Sequence, residues 1–164
     1  IERIKKDNLF QYPTERQVSR LARACYKRLD ALGNEQLVHE LASAPNDIAK
    51  QINLYAVMRY NRLVWEFMIQ VIGEKYRNQD MNFSRKDMNA FFSRLQAQDD
   101  SVAAWSDATI TKIKSVLVRM LIETGYLDGL KDTTLNPVFR CEELERGIEA
   151  NNDYDALSAF NYFR

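Results

Sequence analysis

The sequence predicts an all-α fold, a compact helical bundle, and three observations carry that expectation. Apolar residues recur at helical spacing through most of the chain. Only 5 glycines and 3 prolines interrupt the 164 residues. No stretch alternates apolar and polar residues convincingly over the length of a strand. A hydrophobic share of 46% against a charged share of 28% belongs to a chain that buries a core, which excludes a disordered segment. The length suits a single helical domain over 1–164, open to subdivision into N-terminal helices 1–77 and C-terminal helices 78–164.

Residues 1–13 read as a basic lead-in ending in the apolar cluster Leu9, Phe10 and Tyr12. Pro13 sets up the first long helix, Thr14 to Leu32, with Thr14 as cap, Gln17 completing a capping-box pattern and Gly33 as terminator. Asn34 caps a short second helix to about Ala42. A long helical pattern then runs from Asp47 to about Arg77, with a break expected near Tyr60-Asn61. Its segment Leu63 to Ile72 is apolar nearly all round, which marks a helix enclosed by neighbours. That run is about half the length of a bilayer span and contains Glu66 and Gln70, so no membrane role is expected.

Ser84 caps the next helix, which buries Met88, Phe91, Phe92 and Leu95, and Gln96 to Ser101 reads as a polar loop. Ser106 caps Asp107 to Thr124, and Gly125 ends it. Beyond residue 125 the pattern allows a small winged-helix-like hairpin or an irregular connection over Tyr126 to Phe139. Two small acidic helices follow, Glu142 to Ala150 and Tyr154 to Phe163.

The first long helix carries two opposed stripes. At about 100° per residue, Arg16, Arg20, Arg23 and Lys27 fall on one face, and Val18, Leu21, Cys25, Leu29 and Leu32 on the other. The apolar stripe must face a core, so the basic stripe stands in water as a rod of positive charge suited to a polyanion. The formal charge of the chain is zero, but its distribution is uneven. Residues 1–32 hold eight Lys/Arg and four Asp/Glu, whereas residues 141–164 hold two and six. Lys5 and Lys6 extend the cationic surface from the lead-in. Lys112, Ser115 and Arg119, outward on the Ser106-capped helix, form a second candidate patch in the order recognition helix, then wing.

Catalytic signatures are missing. His39 is the one histidine, without a partner at ligand spacing, and the chain has no GxxxxGK[ST], GxGxxG or GxSxG. The pairs Asp99-Asp100 and Glu142-Glu143 sit in polar segments and read as solvated. The expectation is therefore a non-enzymatic protein with no cofactor, no metal and no small-molecule substrate. Cys25 and Cys141 lie far apart, and Cys25 on the apolar stripe reads as a buried, reduced thiol of a cytoplasmic protein. Ile1 rather than Met opens the chain, so a natural N-terminus upstream is expected.

Several stretches together resemble the BrxA family of the BREX (bacteriophage exclusion) defence systems of bacteria. They are Asn8 to Tyr12, Lys27-Arg28-Leu29, Tyr55, Arg62-Leu63 to Phe67-Met68, Trp105-Ser106 with Thr109 and Lys112, and Leu121 to Gly125-Tyr126-Leu127. The resemblance implies a fold like that of the antitermination factor NusB, binding to double-stranded DNA, no known catalytic activity, and work beside other BREX proteins. It supplies no contact residues; the basic positions above come from helical geometry. Two alternatives stand beside DNA binding. One is a protein-interaction module using the acidic end (Glu142, Glu143, Glu145, Glu149, Asp153, Asp155) with Tyr154, Phe160, Tyr162 and Phe163. The other is RNA binding, suggested only by the NusB-like expectation.

Overall fold

A computed structural model describes residues 1–163; Arg164, at the end of the acidic segment, lies outside them. The architecture is all-helical. In chain order the helices are α1 (Glu2–Lys6), α2 (Glu15–Ala31), α3 (Glu35–Ser43), α4 (Asn46–Tyr60) and α5 (Arg62–Phe67). A six-residue π-helical stretch (Met68–Gly73) joins α5 to α6 (Glu74–Arg77). Then come α7 (Arg85–Gln98), α8 (Asp100–Ala103), α9 (Asp107–Glu123), α10 (Glu142–Ala150) and a closing 3-10 helix (Tyr154–Phe160).

Local chemistry sets the helix starts. The side chains of Thr14, Asn34, Ser84 and Ser106 each accept a hydrogen bond from a backbone N–H of the first turn they cap. The capping box is complete at Ser84, where Asp87 accepts in return from the Ser84 N–H at 2.7 Å. The expected break falls at Asn61. Its φ of −130° ends α4, and its side chain accepts from the N–H groups of Leu63 and Val64 to start α5. Gly33 and Gly125 end α2 and α9 with φ of +60° and +84°, backbone that a side chain would strain.

Three sequence expectations are corrected. The 96–101 loop is mostly helical, because α7 runs to Gln98 and Asp99 caps α8 through the Ser101 N–H. No hairpin forms after residue 125; among the described residues the only β pairing is an isolated antiparallel bridge, Asn82 to Thr134. Its backbone groups are already used. Phe83 N–H donates to the Thr133 carbonyl and Leu135 N–H to the Met81 carbonyl, so the segment closes on the loop before α7 instead of folding on itself. Finally, Cys25 is only half-buried. Cys141 is the buried thiol, and its Sγ accepts from the Leu144 N–H at the start of α10.

The core is continuous from Leu32 to Tyr162, with Tyr55, Phe67, Phe91, Phe92, Tyr126 and Phe160 among its largest fully buried side chains. Its centre is the π-helical stretch lying against the closing 3-10 helix. There Gly73 approaches so closely that an added Cβ would sit 2.4 Å from Ser158 Oγ and 3.2 Å from the Ser158 carbonyl carbon. No helix among the described residues is long and apolar enough to cross a membrane.

Candidate nucleic-acid interface

Helix α2 lies against α4, with α1 folded against its first turns. Val18 and Ala22 are buried in that contact, and Leu21, Cys25 and Leu29 are half-buried beside them. The opposite face carries Arg16, Arg20, Arg23 and Lys27, all exposed, and none makes an ion pair or side-chain hydrogen bond among the described residues. From Arg16 to Lys27 the row runs roughly 16 Å along the helix at 1.5 Å per residue. Glu15 favours the N-terminal end of the dipole and Arg28 the C-terminal end.

The far end of α2 is held by a polar cluster that sequence reading missed. Asn151 Nδ2 donates to the Leu32 carbonyl at 2.8 Å and to the Tyr55 hydroxyl at 3.0 Å. Tyr55 in turn donates to Asp153 Oδ2 at 2.6 Å, and Arg59 reaches the same carboxylate at 2.9 Å. Burial first, and the Asp153 carboxylate second, push the Tyr55 hydroxyl up to about 12. Partners 94 to 119 residues apart leave no local pattern to read.

The other predicted cations divide. Lys6 is exposed and unpaired among the described residues. Lys5 is tied down, 3.3 Å from Glu2 and 3.0 Å from Glu15, and both carboxylates raise its pKa, Glu15 most. The Glu2–Lys5 spacing of three was the available signal. Lys112 and Arg119 are exposed on α9, but Glu123 shares their face one turn beyond Arg119. Lys114, on the far side of α9, donates to Asn89 at 2.8 Å and lies over the Phe92 ring, pinning α9 to α7. The α9 patch is thus shorter than the α2 row; each carries one exposed acid at its C-terminal end, Glu123 on α9 and Asp30 on α2.

The acidic end does not present the aromatic surface considered above. Phe160 and Tyr162 are core residues; only Tyr154 and Phe163 of that set are exposed. Asp153 is taken by Arg59, Glu145 by Arg140 and Glu143 by Arg146.

A polar cleft of about 200 Å3 lies where α6 meets α7, lined by Gln70, Glu74, Lys75, Asp80, Asp87 and Arg94. Lys75 bridges Asp80 and Asp87 at 3.0 Å each. Burial alone would lower the Lys75 pKa, but the hydrogen bonds to Asp87 and Asp80 outweigh it and raise it. The same ammonium holds the Asp80 carboxyl below its ordinary range. This cluster ties α6 to the start of α7 through the Lys75 ion pairs. His39 is exposed on α3, and no His, Cys, Asp or Glu cluster among the described residues has the geometry to hold a metal.

Fold and surface define the class: an all-helical protein that presents a row of four unpaired cations along one helix edge. The chain belongs to the BrxA family, whose sequence profile matches residues 1–152. It is 35% identical over 130 residues to the BREX protein BrxA of Bacillus cereus (strain H3081.97), covering 79% of this chain and 64% of that protein. It is 23% identical over 150 residues to the BREX protein BrxA of Paramagnetospirillum magneticum, covering 92% of this chain and 75% of that one. The BREX protein BrxA of Escherichia coli O9:H4 (strain HS) is 23% identical over 157 residues, covering 96% and 73%. A crystal structure of an uncharacterized protein from Magnetospirillum magneticum shares the fold, with a TM-score of 0.77 at 20% identity over 96% of this chain and 80% of that chain.

Proposed function

We propose that this chain is a non-enzymatic, DNA-binding component of a BREX phage-defence system, acting in the cytoplasm beside other BREX proteins. Family membership supports the system. The unpaired row Arg16, Arg20, Arg23 and Lys27 carries the DNA reading. Four cations on one edge of a rigid rod match a duplex, which carries a negative charge about every 1.7 Å of axis. Lys6 adds a contact from the lead-in, Lys5 contributes less because two carboxylates hold it, and Lys112 and Arg119 are secondary.

Four phosphate contacts give a log–log salt slope of about −3.6 and a loss of affinity on the order of 10²-fold between 50 and 200 mM salt. Fluorescence anisotropy on labelled duplex DNA measures both. Arg20→Ala with Arg23→Ala flattens the slope by about 1.8 and weakens all sequences alike. Unchanged affinity and slope in that variant overturn the assignment. Displacement of the duplex by structured RNA at equal salt transfers the site to RNA.

A further inference from the structure

Helix α2 carries one aromatic residue, and it stands beside the cations rather than in the core. Tyr26 is 60% exposed. Its hydroxyl makes no hydrogen bond and its ring no ring contact among the described residues. It follows Arg23 by three residues and immediately precedes Lys27. On a helix this spacing sets Tyr26 roughly 4.5 Å beyond Arg23 along the axis and about 60° around from it, on the flank of the cationic edge.

Long side chains on a helix lean toward its N-terminus, so the Tyr26 ring reaches back over the turn that holds Ala22 and Arg23. That turn leaves room for a flat group. Ala22 and Ser19, the residues one and two turns back on this flank, are both small, and Ala22 is buried. The acids of α2 stand off this shelf. Asp30 is one turn beyond Tyr26 on the C-terminal side, and Glu15, about three turns back, is held by Lys5 at 3.0 Å.

A cationic edge holds phosphates, and an aromatic ring beside it meets bases. Inside an intact duplex both faces of each base are already stacked, so the ring gains nothing there. An unpaired base has a free face, and stacking on an aromatic ring tolerates any sequence because every base has a π-face. We propose that Tyr26 stacks an unpaired base while the row Arg16, Arg20, Arg23 and Lys27 holds the phosphates around it, so that the α2 edge selects DNA with a locally open strand over fully paired duplex. This rests on the reading of the row as a phosphate contact and adds to it the form of DNA that the site selects.

Fluorescence anisotropy compares a fully paired duplex with one of equal length that carries a short single-stranded gap, at one salt concentration. The gapped DNA is expected to bind about tenfold more tightly. Tyr26→Ala should bring the two within about twofold of each other by weakening only the gapped DNA, and Tyr26→Phe, which keeps the ring, should retain the preference. A 2-aminopurine in the gap should be quenched by the native chain and by Tyr26→Phe, but not by Tyr26→Ala. Circular dichroism checks that each variant is folded. Equal affinity of the native chain for the two DNAs, a preference that survives Tyr26→Ala, or one lost in Tyr26→Phe overturns the stacking role and leaves the phosphate reading standing. Failure of both DNAs to bind in a salt-dependent way overturns the phosphate reading and this inference with it.

Discussion

Helix α2 and the π-helical stretch at Met68–Gly73 are both helical, yet their surroundings are opposite. The stretch has Met68 and Ile72 fully buried and Gly73 pressed against Ser158. Helix α2 buries only Val18 and Ala22 among its residues and leaves a whole side in water. The centre is therefore constrained by packing along most of its surface, whereas the edge is free to be selected for what it binds. Stability and binding should separate cleanly between the two regions.

The strongest challenge to that separation is Phe67→Ala, which empties a site where Phe67 meets Phe83 and Phe91 edge-on. It should cost about 3–5 kcal/mol and lower the melting temperature by roughly 10 °C, read by thermal denaturation. Gly73→Ala should cost about 1–3 kcal/mol through collision with Ser158. On an exposed helix the same change would stabilise by up to about 1 kcal/mol, so a neutral result would show that the centre yields as the edge does.

Alkali offers a third probe of the centre. Tyr55 and Tyr162 are pushed up to about 12, mainly by burial, and Tyr76 and Tyr126 are raised as well. A raised folded value means the contribution is complete below the unfolded value of 10 and is lost as pH climbs through about 12. Unfolding followed by circular dichroism should coincide with tyrosinate absorbance in that window; ionisation of all four before unfolding would contradict their burial. The smallest effect belongs to the edge. Arg20→Ala with Arg23→Ala should change stability by no more than about 0.5 kcal/mol while it alters the DNA salt slope. A larger loss in denaturant would show that the row supports the fold.

What was legible in the sequence was local. Thr14, Asn34, Ser84 and Ser106 announced helix starts, Asn61 announced a break, and the spacing of the α2 cations placed them on the solvent side. What was hidden depends on partners distant in sequence. Residues 133–135 looked free to fold on themselves until residues 81–83 claimed their backbone. Phe160 and Tyr162 looked like docking residues because nothing nearby shows that Tyr55 packs edge-on against Phe160 and Gln51 bonds Tyr162. Likewise Lys5 counted as a free cation until the turn at 8–12 brought Glu15 beside it.

The closing 3-10 helix has a bearing on how the chain is made. Ala156 to Phe160 fill the space beside Gly73, Ala159 offers its carbonyl to the Tyr126 hydroxyl, and Asn151 ties down Leu32. A nascent polypeptide thus completes α2 well before it can seal this interior, which waits until residue 160 has emerged. The apolar run at Leu63 to Ile72 waits only partly covered through the synthesis of nearly ninety further residues, and that interval is when chaperones matter most.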